Sequence, residues 1–256
     1  MSAQITHLII TSPFLEPSKY WSQDEGGDFA LMDGRRKAGY TLQDPTAKGG
    51  GEFIELKTVN EIRKRVAQWR ADEYAGVTVV TKKLLEHRND KEQRETPFYF
   101  AQLEAIETLI WWVEAHGSYK QGIMLEGDGG LWERVCSKMA TGTGKTTVMA
   151  MIIAWQTLNA VNYPKDKRFS NAIFIVTPGL TVKERLSVLY PSHPQNYYDA
   201  FNILPESFRE KIRSVKIKIE NWHCLMPLKE QQSSVVKKRK RERRGILQKN
   251  TRRALR

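Results

Sequence analysis

Met139-Ala-Thr-Gly-Thr-Gly-Lys-Thr146 is the stretch on which the reading of this chain turns. Gly142 and Gly144 bracket Thr143, and neither carries a Cβ to obstruct a backbone curling around an anion. Backbone N–H groups freed in such a curl point inward at phosphate oxygens. Lys145 places a positive charge where β- and γ-phosphates would lie, and the Thr146 hydroxyl is placed for Mg²⁺. A helix starting here adds its positive N-terminal end. The strict phosphate-loop pattern also wants glycine six residues before the lysine, and that position holds Met139.

The flanks decide between such a loop and a plain glycine-threonine turn. Upstream, Leu131, Trp132, Val135 and Met139 predict a strand over Leu131–Met139. Downstream, Val148, Met149, Met151, Ile152, Ile153, Trp155 and Leu158 fall on nearly every side of a helix over Thr146–Ala160, which predicts a buried helix. Ala172-Ile-Phe-Ile-Val176 is an unbroken apolar run, the pattern of a parallel strand covered on both faces. Strand, loop, helix and strand make a βαβ unit. The expected fold class is therefore α/β: a P-loop domain with a parallel sheet and flanking helices, preceded by a mixed α+β N-terminal region.

Elsewhere the pattern is coarser. Short strands are expected at His7–Ile10 and Glu52–Leu56, separated by glycine-rich loops. Gly34-Arg-Arg-Lys37 reads either as a phosphate contact or as a solvated turn. Ile62, Val66 and Trp69 recur at helical spacing, with Thr58 or Asn60 as candidate caps. Gly76 breaks that helix, and Thr81 opens a second one with Leu84 and Leu85. Tyr99–Ala115 is a third helix, and Gly127–Gly130 a surface loop. Another helix runs through Leu189, and Val215, Ile217 and Ile219 alternate with charged residues as a half-buried strand.

Composition sets bounds on function. The 256 residues suffice for one domain and a smaller piece. Two cysteines, Cys136 and Cys224, form no metal-ligand or disulfide framework, which fits a reducing cytoplasm. No apolar run approaches a membrane span. The net charge of +12 is concentrated at one end: Lys237–Arg256 holds eleven of the 41 bases and one of the 29 acids. The basic pI therefore says nothing about the body of the chain.

Three further segments carry a resemblance. Phe98-Tyr-Phe-Ala-Gln102 precedes the loop, Thr177-Pro178-Gly179 follows the apolar strand, and Glu220-Asn-Trp-His223 follows the alternating one. With the loop, they resemble a superfamily-two helicase or translocase. Gly34-Arg-Arg, Gly39-Tyr40, Ile62-Arg63, Trp69-Arg70 and Gly76-Val-Thr78 are similar to the leader of type III restriction enzyme Res (motor) subunits. The resemblance covers about residues 3–235. It implies an incomplete RecA-like motor domain over 96–236, an accessory region over 1–95 and a basic tail over 237–256. It implies an ATP and Mg²⁺ site made by Gln102, Thr141, Gly142, Thr143, Gly144, Lys145, Thr146 and Thr147. In it Gln102 reads adenine, Lys145 and Thr146 carry catalysis, and Thr146 meets the metal. Thr177, Pro178 and Gly179 would touch nucleic acid. The implied partners are double-stranded DNA and a modification, specificity or nuclease subunit.

Hydrolysis in such motors needs an Asp-Glu pair on a strand after the loop. Asp24-Glu25 and Asp72-Glu73 both precede Lys145, and no such pair follows it. The resemblance therefore implies an N-terminal fragment that binds ATP without turning it over efficiently. Two alternatives stay open. One is a different P-loop protein such as a kinase or GTPase, although the Asn-Lys-x-Asp signature of guanine readers is missing. The other is a non-enzymatic remnant or a basic DNA-binding fragment. The tail itself reads either as a DNA-binding arm or as a solvated end.

Overall fold

Trp69 and Trp111 are the largest side chains with no exposed surface, and the fold is arranged around them and the helix that follows the glycine loop. The computed structural model describes residues 9–23, 28–42, 52–90, 94–125, 127, 129–130 and 134–226. In chain order the elements are β1 (Lys19–Gln23), β2 (Phe29–Asp33), β3 (Gly39–Leu42), β4 (Glu52–Glu55), α1 (Lys57–Ala71), α2 (Val79–Asn89), α3 (Phe100–Glu114) and α4 (Gly117–Lys120). There follow α5 (Lys145–Asn162), β5 (Ala172–Thr177), α6 (Leu180–Arg185), α7 (Tyr197–Ala200), α8 (Arg209–Ile212) and β6 (Lys216–Asn221). The chain is thus mixed α/β, with small sheets and one parallel pair accompanied by helices. No described helix is long and apolar enough to cross a membrane.

Helix α5 is central. It packs against α2, α3, α7 and α8, and Ala150, Met151, Ala154 and Leu158 have no exposed surface. The all-round apolar pattern in the sequence is therefore a buried helix, as expected. Trp155 meets Phe169 edge-to-face at 6.0 Å, and Trp69 meets Tyr74 likewise at 5.0 Å. Each such large apolar side chain contributes roughly 1.5–3 kcal/mol when withdrawn from water. One continuous core includes Val66 and Leu84 of the first two helices together with Ile106, Met151, Leu189 and Ile219. The boundary expected between residues 95 and 96 therefore passes through shared packing.

A buried carboxylate ties these helices together. Glu114, at the end of α3, accepts from Thr78 N (2.8 Å), Thr81 Oγ1 (2.7 Å) and Trp155 Nε1 (2.6 Å). It is 4 % exposed, and three donors offset the loss of its hydration. Asn159 extends the network by donating to Thr81 Oγ1 at 2.8 Å. The same contacts explain where α2 starts. Thr78 accepts from Thr81 N and caps the helix, so α2 begins at Val79 rather than at Thr81.

Helix α1 departs from expectation at its start. Neither Thr58 nor Asn60 caps it; Leu56 is the N-cap position and offers no side-chain bond. Asn60 reaches outward instead. Its Oδ1 accepts from Ala38 N (2.8 Å), and its Nδ2 donates to Ala38 O (3.2 Å) and Glu55 Oε1 (3.0 Å). A helical residue thereby fixes the segment entering β3. Nearby, Arg35 forms a bidentate pair with Glu104 of α3, at 2.5 and 2.6 Å.

The sheets are smaller than the sequence predicts. β1–β2 and β3–β4 are antiparallel pairs, and β5–β6 is a parallel pair in register from Ala172↔Lys216 to Thr177↔Asn221. β4 matches the strand expected at Glu52–Leu56; of the strand expected at His7–Ile10, residues 7 and 8 lie outside the described residues, and Ile9 and Ile10 adopt no strand. Ile219 is buried, and Ile173, Ile175 and Ile217 pack on the core. On the other face Phe174 is 52 % and Val176 45 % exposed, so β5 is covered on one face only. Apolarity at every position does not by itself supply a second covering layer. The strand expected at Leu131–Met139 is also not found: residues 131–133 lie outside the description, and 134–139 adopt no strand.

Candidate functional site: the glycine loop and its neighbours

Gly142 and Gly144 both adopt left-handed backbone, with φ of 82° and 78°. Gly144 is the N-cap position of α5, and the chain turns from the loop into the helix through it. A side chain at Gly144 is disfavoured on two counts. The conformation disfavours a Cβ, and a Cβ there would collide with Gln102 Nε2. The first N–H groups of α5 have no partner within the helix, by the geometry of any helix start. Among the described residues no hydrogen bond uses the N–H groups of Thr143, Gly144, Lys145 or Thr146. This end of α5 therefore offers a set of oriented donors and the positive end of an 18-residue helix.

The side chains of the loop are arranged around that end. Lys145 Nζ folds back and donates to Ala140 O (2.7 Å) and Met139 O (3.1 Å). Thr143 Oγ1 donates to the same Ala140 carbonyl at 2.7 Å. Among the described residues no carboxylate pairs with Lys145, whose charge is held only by neutral carbonyls. Thr141 is exposed, Thr146 is half-buried, and Thr147 is 5 % exposed with its N–H donating to Gly144 O. The cradle fits an anion: left-handed glycines, free donors and one unneutralised ammonium group. For a divalent cation the loop supplies hydroxyl and carbonyl oxygens, the expected Thr146 hydroxyl among them, but no carboxylate. Among the described residues no group of three or more His, Cys, Asp or Glu side chains is placed to hold a metal ion.

Gln102 is brought to the loop, where its carboxamide is engaged with backbone. It is the third residue of α3, 6 % exposed, and its Oε1 accepts from Tyr99 N at 2.9 Å. That is the carboxamide half of a capping box. Its Nε2 lies against Gly144. The side chain therefore connects the start of α3 to the start of α5.

Thr177, Pro178 and Gly179 lie at the carboxyl end of β5, and Thr177 pairs in register with Asn221 at the end of β6. Thr177 is 1 % exposed, and its hydroxyl donates to Gly179 O (3.2 Å) and Glu220 O (3.4 Å). It closes the turn from within, and Pro178 is the exposed member of the three. Beside them Lys183 donates to Glu220 at 2.8 Å, which holds the Glu220 carboxyl below its ordinary range. The Trp222 and His223 rings meet with a 37° tilt, their centres 4.1 Å apart. Among the described residues no hydrogen bond or ion pair joins residues 177–179 to the glycine loop.

Sequence reasoning missed Glu114 and Glu107, the two most deeply buried carboxylates among the described residues. Glu107 accepts from Arg70 Nε and Nη2 (2.9 and 2.7 Å) and from Tyr74 Oη (2.9 Å). Burial of Tyr74, with the Glu107 charge and hydrogen bond adding to it, pushes the phenol far above its ordinary range. Acids at helical spacing give no hint of burial when their partners lie 30 or more residues away. Comparison of the chain with protein-family models, with curated proteins and with solved structures gave no match.

Proposed function

We propose that the loop at residues 139–146 binds the triphosphate of ATP with Mg²⁺, and that the chain carries the nucleotide-binding part of a DNA translocase similar to type III restriction motor subunits. The observation that supports this most is the combination at one helix start: two left-handed glycines, unengaged N–H groups and a lysine without a carboxylate partner. In this reading Lys145 exchanges its two loop carbonyls for phosphate oxygens, and Thr146 contributes one ligand to the metal. Gln102 holds Gly144 in place. Its Oε1 already accepts from Tyr99 N, so contact with adenine would use the second lone pair of that oxygen. Pro178 and the backbone of Gly179 are the parts of the β5 turn open to nucleic acid.

In this reading the sheet is the nucleus of an incomplete RecA-like domain, and the exposed face of β5 is where further structure would pack. Catalysis is a separate matter. With no Asp-Glu pair after Lys145, the chain has no obvious acid to position a water molecule. The expected behaviour is ATP–Mg²⁺ binding in preference to GTP, with little hydrolysis even when double-stranded DNA is added. Equilibrium binding of labelled ATP and GTP, run beside a phosphate-release assay, tests both halves. Tighter binding of GTP would favour a different P-loop protein. Robust DNA-stimulated phosphate release would contradict the reading of an incomplete motor.

A further inference from the structure

A second basic site lies far from the glycine loop in sequence, between the segment entering β3 and the first helix. Arg36, Lys37, Gly39, Thr41, Phe53 and Arg63 line an open cleft of about 320 Å³ that contains no acidic lining residue. That volume is at the small end of the roughly 300–1,000 Å³ typical of ligand sites, room for one nucleotide unit and too little for a duplex.

Three features make it more than a solvated charge run. First, its backbone is held in place: Asn60 grips Ala38 through both its N–H and its carbonyl. Second, its cations are incompletely neutralised. Among the described residues Arg36 has no ion-pair partner. Arg63 is 30 % exposed at its side chain, and its nearest carboxylate, Glu104, is 4.0 Å away with both oxygens already held by Arg35. Burial and the Arg35 charge both weigh against its cation, and an anion beside it would offset them. Lys37 is the exception, since it pairs with Glu55 at 2.9 Å. Third, an aromatic face is presented beside the cations. Phe53 is 42 % exposed, and its ring lies across Gly39 so closely that a Cβ at Gly39 would collide with it. The ring is thus held against the strand backbone while much of its surface stays open to solvent.

We propose that this cleft binds single-stranded nucleic acid, with a phosphate between Arg36 and Arg63 and an unstacked base on Phe53. Cations track the backbone, and an aromatic face takes any base without regard to sequence. A duplex offers no free base face, so the aromatic surface is useful only to an unpaired strand. The assignment does not depend on the glycine loop binding ATP.

The test uses the full chain and a short 5′-labelled oligothymidylate, read by fluorescence anisotropy over a range of salt. Arg36→Ala is the leading variant, because this exposed side chain makes no ion pair among the described residues. It is expected to weaken binding several-fold and to reduce the salt slope by about 0.7, one single-strand phosphate contact. Phe53→Leu is expected to weaken binding about tenfold, the loss of one stacked base. Photocrosslinking with 5-iodouracil in the strand is expected to label the peptide containing Phe53. Wild-type affinity in both variants, or crosslinks confined to residues 237–256, would overturn the proposal. Displacement by equimolar thymidine monophosphate, or stronger binding of the matching duplex, would overturn the single-strand assignment.

Discussion

Gln102 Nε2 lies against the α-carbon of Gly144, so that the start of α3 and the start of α5 are in direct contact at the glycine loop. Gly144→Ala should therefore destabilise the chain by about 1–3 kcal/mol, from left-handed strain together with the collision. Adding Gln102→Ala should recover part of that loss, because it removes the colliding group. A double-mutant cycle by chemical unfolding checks this, with an expected coupling of about 0.5–3 kcal/mol. Strict additivity would mean that the two residues do not meet.

Glu114 should matter for stability more than any surface ion pair. Glu114→Ala strands the donors of Thr78, Thr81 and Trp155 without an acceptor. The expected cost is roughly 3 kcal/mol or more. Glu114→Gln keeps one acceptor oxygen and should cost less. Denaturant midpoints of the two variants decide, and equal midpoints would show that the charge and the donors are not coupled.

Arg88 should behave in the opposite way. It is 2 % exposed, and only Nη2 finds a partner, Met151 O at 3.1 Å; Nε and Nη1 have none among the described residues. Burial, with the Arg94 charge adding to it, pushes its pKa down to about 9. Replacing such a poorly compensated charge with an apolar chain of similar length is commonly neutral or favourable by about 1–4 kcal/mol. Arg88→Met should leave the unfolding midpoint unchanged or raise it; a marked fall would show that the guanidinium anchors α2 to α5 through Met151.

A pH effect is expected from His87. Burial holds its pKa below the ordinary 6.5, outweighing the hydrogen bond to Asn202 O. The folded state thus favours the neutral ring. Its contribution is fully present above the unfolded pKa and is lost as pH falls below about 6.5 toward the lower folded value. Unfolding temperatures at pH 7.5 and 5.5 should show that loss, and His87→Gln should flatten it. An equal fall in both proteins would assign the effect to other groups.

Helices with their own apolar period were legible in the sequence: α5 from its run through Leu158, and α3 from Leu103 to Val113. β6 was equally legible from the alternation of Val215, Ile217 and Ile219. What depends on distant partners was not. The exposure of Phe174 and Val176 follows from which layers are present, and no local pattern encodes that. Asn60 looks like a cap in sequence, but its bonds go to Ala38, 22 residues earlier. Gln102 was legible as a neighbour of the loop, while its engagement with Tyr99 N was hidden by a capping residue, tyrosine, that is not among the usual ones. The cleft of Arg36 and Phe53 was half visible, as a charge run whose aromatic neighbour lies across a hairpin.

If Lys145 and its loop hold a nucleotide triphosphate, as proposed, ATP–Mg²⁺ should stabilise the fold through that lysine. Thermal unfolding of the chain and of Lys145→Ala, each with and without ATP–Mg²⁺, tests it most directly. A ligand that binds only the native state stabilises it by about 2.7 kcal/mol at a hundred times its dissociation constant. A clear rise in unfolding temperature is expected for the unaltered chain and none for Lys145→Ala. An unfolding temperature that ignores ATP–Mg²⁺, or one that rises equally in both proteins, would contradict it.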